Sequence, residues 1–242
     1  MKDIWGNYDA FKADNSDAIK FFSFVKACIQ TGLKKICSSD KLSFALDVGC
    51  GAGDLTKLLL DYANHVDAVD LSPSLISKAK QKVELDEINF ECDNFLNYQS
   101  NNKYELISAI WFHHQLNTTE NQKDIKDKIL EMLTPNGVFI FLIPSATYAH
   151  AEAQVLFKQL NFTHAVIDSC PQYHRMVFSF DRVDWDQYTI WSPLYIYQTY
   201  QDEFEMEFID TKKILVDNGY LTLDYIHPVF DVLIGKRKPK QA

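Results

Sequence analysis

The sequence predicts an α/β fold built on a doubly wound, mostly parallel sheet, and three observations carry that expectation. Short apolar runs alternate with helical segments from residue 44 onward, and such alternation calls for a parallel sheet covered on both faces by right-handed crossovers. The first run, inside "ALDVGCGAGDL" at 45–55, ends in three closely spaced glycines. The next two runs close on acids, Asp70 and Asp93.

Ahead of the sheet, Ala18, Phe22, Val25, Ile29, Leu33 and Ile36 recur at spacings of three and four. This periodicity predicts a helix over 16–37 with Ser16 as its N-cap. The predicted strands span 44–49, 66–71, 88–92, 105–111 and 137–143, with helices over 54–63, 72–85 and 120–133 between them. Ser72-Pro73 opens the second of these helices as a capping hydroxyl followed by proline at the first helical position. Ahead of the third, Thr119 and Gln122 have capping-box spacing.

Residues 145–204 break the rhythm and hold 13 of the chain's 33 aromatic residues, well above an even share. The segment reads either as a cap with its own small core or as a substrate lid and pocket wall. "EMEFIDTKKILVDNGY" then predicts a helix ending at Gly219, and "LTLDYIH" and "FDVLIGK" a pair of strands around Pro228. A single domain results: an N-terminal helical segment (1–40), a cofactor-binding core (41–144), the aromatic-rich insertion (145–204), and a C-terminal helix and strand pair (205–242).

Charge and cysteine usage narrow the function classes. A net charge of -9 disfavours nucleic acid as a partner, and the basic cluster Lys236, Arg237, Lys238 and Lys240 reads as a solvated tail. The five cysteines are widely spaced, without a C-x-x-C pair. They suggest neither a disulfide framework nor a metal site, and fit a reducing, cytoplasmic setting. No apolar run approaches membrane-spanning length.

The glycines fall where a doubly wound sheet binds ligands, in the turn after the first strand. Gly49, Gly51 and Gly53 allow a tight turn that brings backbone N–H groups and a helix N-terminus against a ligand. Their G-x-G-x-G spacing differs from the G-x-G-x-x-G usual for a dinucleotide pyrophosphate. Asp70 is placed to accept hydrogen bonds from both hydroxyls of a ribose, and Asp93 with Asn94 to meet an adenine amino group. Each acid taken alone serves equally well as a turn or cap residue. Three successive strand ends supplying glycines, an acid and an acid favour the ligand reading.

"LDVGCGAG", "VDAVDLSPSLISKAK", "FECDNF", "YELISAIWFHH" and "LTPNGVFIF" resemble, in order, the motifs of the class I S-adenosylmethionine-dependent methyltransferases. The resemblance runs from about Phe44 to Ile143. It implies a seven-stranded Rossmann-like sheet whose last strand is antiparallel, and S-adenosylmethionine as cofactor. It further implies that Gly49, Gly51 and Gly53 line the methionine portion with Asp47 near its amino group, and that Asp70, followed by Leu71, holds the ribose. Asp93 and Asn94 would then meet the adenine, and Ile110 and Trp111 border the sulfonium. Pro135-Asn136-Gly137 departs mildly from the usual Pro-Gly-Gly, and Cys50 implies no thiol chemistry.

A sulfonium methyl is already an activated electrophile, so such an enzyme chiefly aligns the acceptor and excludes water; orientation alone supplies about 7–11 kcal/mol in favourable systems. A general base is optional and matters for hydroxyl or ammonium acceptors. His113 and His114, after the fourth strand, are the first candidates, and either of the two can equally be a packed or surface histidine. Tyr8 comes next, then His150 and the triplet Tyr173, His174 and Arg175. Tyr8 and Trp5 precede the first helix, and aromatic rings there can face a sulfonium.

Three functions stay open at this level. The favoured one is methyl transfer to a small apolar or aromatic acceptor, oxygen slightly ahead of nitrogen. The others are a non-catalytic adenosine-cofactor-binding module of the same fold, and a nicotinamide-dependent oxidoreductase.

Overall fold

The computed structural model describes residues 16–38, 40–145, 162–180, 183–217 and 230–239. Helix α1 (Ser16–Ile36) buries Val25, Cys28, Ile29 and Leu33 along one stripe, as the three- and four-residue spacing predicts. Strand β1 (Leu42–Val48) runs from a half-exposed start to four consecutive buried residues. Such a run marks a strand covered on both faces.

The main sheet has seven strands in the order β3-β2-β1-β4-β5-β10-β9. It comprises β1, β2 (Ala63–Asp70), β3 (Ile88–Cys92), β4 (Tyr104–Ile110), β5 (Leu133–Pro144), β9 (Phe204–Ile209) and β10 (Phe230–Arg237). Pairings among β1 to β5 are parallel, whereas β10 is antiparallel to both β5 and β9. The order reverses between β1 and β4, so the crevice at their carboxyl ends is the place for a ligand.

Alternation along β5 sorts its side chains into two cores. Ile140 and Leu142 join the cluster under α1, with Val25, Ile29 and Leu33. Phe139, Phe141 and Ile143 face the opposite cluster. There they meet Ile125 and Ile129 of α4 (Thr119–Met132), and Ile196 and Tyr200 of α5 (Pro193–Tyr200). Arg237 ties the end of α4 to the sheet by donating from Nη1 to the Leu130 and Leu133 carbonyls, both at 3.0 Å.

Part of the 145–204 segment forms a second, three-stranded antiparallel sheet in the order β6-β7-β8 (Phe162–Cys170, Tyr173–Phe180, Val183–Trp191). Strand β8 docks it on the loop after β4: Trp191 Nε1 donates to the Leu116 carbonyl at 2.6 Å, and Thr189 Oγ1 to Asn117 at 3.2 Å.

Three local expectations need correction. The helix expected over 54–63 is a single turn, α2 (Thr56–Leu59). The N–H groups of Leu60, Asp61 and Tyr62 bond carbonyls three residues back, tightening the chain so that Ala63 already enters β2. Residues 205–209, expected in a helix, belong to β9, because they pair with the free edge of β10; helix α6 begins only at Thr211 (Thr211–Asp217). The N-cap of α4 is Thr118, whose hydroxyl accepts from the Asn121 N–H, one residue ahead of the expected box. Ser72 caps α3 (Pro73–Lys82) as expected, with Pro73 at its start. "LTLDYIH" lies outside the described residues.

Candidate active site

The glycine turn joins β1 to α2, and all three of its glycines lie in the left-handed region, with φ of 71° at Gly49, 56° at Gly51 and 77° at Gly53. That is where a side chain is strained, which explains the residue type. A Cβ at Gly49 would meet the Phe112 ring at 3.0 Å, and one at Gly53 the Phe90 ring at 3.1 Å. At Gly51 a Cβ would meet nothing within 4 Å. The turn is thus packed from beneath at its two ends and open above its middle.

Acids from neighbouring strands complete the crevice. Asp70 closes β2 and accepts from Gly51 N–H on Oδ2 and from Ser72 N–H on Oδ1, both at 2.9 Å. Leu71 beside it is 57% exposed, an apolar side chain at the rim. Asp93 N–H donates to the Asp70 carbonyl at 3.1 Å, which holds the end of β3 against that of β2. The Asp93 and Asn94 side chains accept from the N–H groups of Asn94 and Leu96, so both also shape their own turn.

Asp47 is 3% exposed and accepts from Thr56 Oγ1 at 2.7 Å. Burial raises its pKa to about 6, against the lowering effect of the Thr56 and Ser108 hydroxyls, and nearby Asp70 pushes it further up. Burial and both carboxylates push the Cys50 thiol far up as well, so it stays protonated and unreactive.

After β4 the chain turns sharply at Trp111, a non-glycine residue at φ 58° whose N–H donates to the Leu142 carbonyl at 3.1 Å. Its ring leans edge-on against Phe230 at 5.7 Å and His114 at 6.1 Å. Ile110 is buried in the core beneath the crevice.

The two histidines that follow part company. His113 is 1% exposed: Nδ1 shares a 2.9 Å hydrogen bond with Gln122 Oε1, Gln122 Nε2 donates to the His113 carbonyl, and the ring lies 4.6 Å from that of Phe141. His114 lies partly open between Trp111 and Tyr188 of β8, whose ring is 5.5 Å away. Its Nε2 is 2.6 Å from the Gln115 amide, and among the described residues its Nδ1 has no hydrogen-bond partner. Burial lowers the pKa to about 4 at His113 and to about 3 at His114, where His113 adds to the effect, so both rings are neutral at pH 7.

Sequence reasoning missed Gln122 and Gln115. The sequence offers Gln122 only as a capping residue, although its position nine residues after His113 lets a helical side chain reach back to that ring. Tyr8, Trp5 and His150 lie outside the described residues. Further from the crevice, His174 Nδ1 is 2.8 Å from Ser169 Oγ, and the Arg175 guanidinium lies over the Tyr173 ring at 5.2 Å. Among the described residues no cluster of His, Cys, Asp and Glu is placed to hold a metal ion, and no helix is long and apolar enough to cross a membrane.

Comparison with known proteins agrees with this geometry. Residues 45–137 match the family described as "Methyltransferase domain". A malonyl-[acyl-carrier protein] O-methyltransferase of Acetivibrio thermocellus is 32% identical over 125 residues, covering 49% of this chain and 39% of that protein. The chain therefore matches well under half of that relative's length. N-methyltransferase NodS from Bradyrhizobium japonicum, in complex with S-adenosyl-L-homocysteine, superposes with a TM-score of 0.59 at 13% identity over 99% of this chain and 100% of that one. An S-adenosylmethionine-dependent methyltransferase from Clostridium acetobutylicum gives a TM-score of 0.58 at 18% identity over 98% and 96%. At such identities the two structures speak for the fold. Taken with the order of the sheet, they show that the chain has the fold of the class I S-adenosylmethionine-dependent methyltransferases, and residues 45–137 carry the match to a methyltransferase domain.

Proposed function

We propose that the chain transfers the methyl group of S-adenosylmethionine to a small-molecule acceptor, with oxygen slightly preferred over nitrogen. The observation that carries this reading is the open ground above Gly51, fastened to Asp70 beside the exposed Leu71, at the carboxyl end of β1, with Trp111 and His114 following the neighbouring strand β4. The residues fit the cofactor: Asp70 would receive the ribose hydroxyls with Leu71 beside it, Asp93 and Asn94 would meet the adenine, and the glycine turn with Asp47 would hold the methionine end. When bound, the cofactor would supply an electrophilic methyl group, and Trp111 and Ile110, at the end of β4, would border it.

His114 packs against the Trp111 ring, and Gln115 fixes which of its nitrogens carries the proton. Being neutral, it orients an acceptor hydroxyl rather than storing a proton. His113 acts through packing, holding the loop that presents His114. Tyr8 remains a candidate. We read 145–204 as the cap over the acceptor, with an apolar or aromatic acceptor suited to its composition and nucleic acid disfavoured by the acidic surface. The five free cysteines fit a cytoplasmic setting.

The A. thermocellus relative is named for an oxygen acceptor on a carrier protein and the Bradyrhizobium structure for nitrogen. A carrier-linked carboxylate is accordingly the second reading. Incubation with methyl-labelled cofactor and a metabolite extract tests the first: label in a low-mass product supports it, and label confined to protein or RNA refutes the acceptor class.

A further inference from the structure

The cap sheet has one face that leads away from His114. Tyr188 and Ile190 are two residues apart on β8 and so share a face, about 7 Å from each other. On β7 their direct partners are Met176 and His174, and opposite residues of an antiparallel pair lie on the same face. Ser169 of β6 pairs with His174 and shares a hydrogen bond with it. The wall that starts at the His114–Tyr188 ring contact therefore continues through Ile190 to His174.

At its far end lies a cleft of about 220 Å³, walled by Tyr173, Ile190 and Trp191, with Ser145, His174 and Ser192 among its polar lining. Ser145 directly follows β5, three residues beyond the Leu142 carbonyl that anchors Trp111. The volume falls below the roughly 300–1,000 Å³ of pockets that enclose a whole ligand. Such a cleft suits one end of a molecule whose other end is held elsewhere.

We infer that this cleft is the distal half of the acceptor site and takes a flat apolar ring carrying a hydrogen-bonding group, with the polar group at His174. The inference rests on the methyltransferase reading, which places the reacting end at Trp111 and His114. His174 is then a specificity-determining residue: its ring discriminates a hydroxylated ring from a bare one, because a polar site left unfilled by the analogue loses its bonds.

The test uses the full chain saturated with S-adenosyl-L-homocysteine and fluorine NMR line broadening of 4-fluorophenol, with fluorobenzene as the analogue lacking the hydroxyl. The expected result is broadening of 4-fluorophenol, at least fivefold weaker for fluorobenzene. His174→Ala should weaken it at least fivefold, and so should Cys170→Trp, which fills the cleft from the half-buried end of β6. Both variants should bind S-adenosyl-L-homocysteine within twofold of the parent, which shows that they fold. If the parent binds S-adenosyl-L-homocysteine but leaves 4-fluorophenol sharp, or if both variants broaden it as the parent does, the distal subsite is overturned while the methyltransferase reading stands. A parent that fails to bind S-adenosyl-L-homocysteine overturns that reading, and the subsite with it.

Discussion

The N–H of Gly51 donates to the carboxylate of Asp70 at 2.9 Å, so the loop after the first strand is fastened to the end of the second before any ligand arrives. This bond sets the loop's height over the crevice. Asp70→Ala removes both the fastening and the ribose acceptor; hydrogen bonds to a charged group are worth about 1.5–3 kcal/mol each. Affinity for S-adenosyl-L-homocysteine should fall on the order of 100-fold by calorimetry, since about 1.4 kcal/mol is tenfold. Gly51→Ala, at φ 56°, should cost stability by about 1–2 kcal/mol, read from denaturant unfolding.

Asp47 predicts a pH-dependent conflict between stability and binding. Its folded pKa of about 6 exceeds the ordinary carboxylate value, so the native state holds a proton that the unfolded chain gives up. Its contribution to stability is therefore greatest near pH 4 and declines as pH rises through 6. Asp47→Asn should be more stable than the parent at pH 8 by up to about 3 kcal/mol, the worth of a two-unit shift. The advantage should vanish at pH 4. Urea unfolding at the two values checks this, and an Asn variant less stable at pH 8 contradicts it. Cofactor binding by the same variant should weaken.

Gln122 serves His113 at two atoms, Nδ1 and the main-chain carbonyl. Gln122→Leu leaves a buried imidazole nitrogen without a partner, at a cost of about 1–3 kcal/mol for an unsatisfied buried group, while the His113 carbonyl still accepts from the Leu116 N–H. The variant should lose stability within that range, measured by denaturant unfolding, while its affinity for S-adenosyl-L-homocysteine stays within twofold. A large loss of affinity with no loss of stability would place His113 in the binding machinery instead.

The contact between Gln115 and His114 Nε2 predicts a single ring tautomer. In Gln115→Leu the imidazole is released, and nitrogen-15 NMR of the ring should show a mixture where the parent shows one form. The same spectra taken down to pH 4 should find the parent ring neutral throughout, given a pKa lowered to about 3.

Much of this architecture was legible from local pattern. The strands β1, β4 and β5 announce themselves because a sheet covered on both faces demands apolar runs, and the left-handed glycines because no other residue type sits there without strain. Strand β9 escaped because "EMEFID" carries helix-forming residues on an edge strand, where pairing with β10 overrides propensity. The single turn of α2 escaped for a similar reason: the distance to the start of β2 sets its length. At the site, Asp70 and His114 were visible as residue types at strand ends. Gln122 and Gln115 were not, because their roles depend on which ring nitrogen faces them. The positive φ of Trp111 has no sequence signature at all.

The central claim is that the crevice above Gly51 binds S-adenosylmethionine. Equilibrium dialysis of the purified chain against methyl-tritiated S-adenosylmethionine, with NAD as competitor, tests it most directly. The prediction is saturable binding at one site per chain that excess NAD leaves unchanged and Asp70→Ala weakens on the order of 100-fold. Absence of saturable binding, or displacement of the label by NAD, would contradict it.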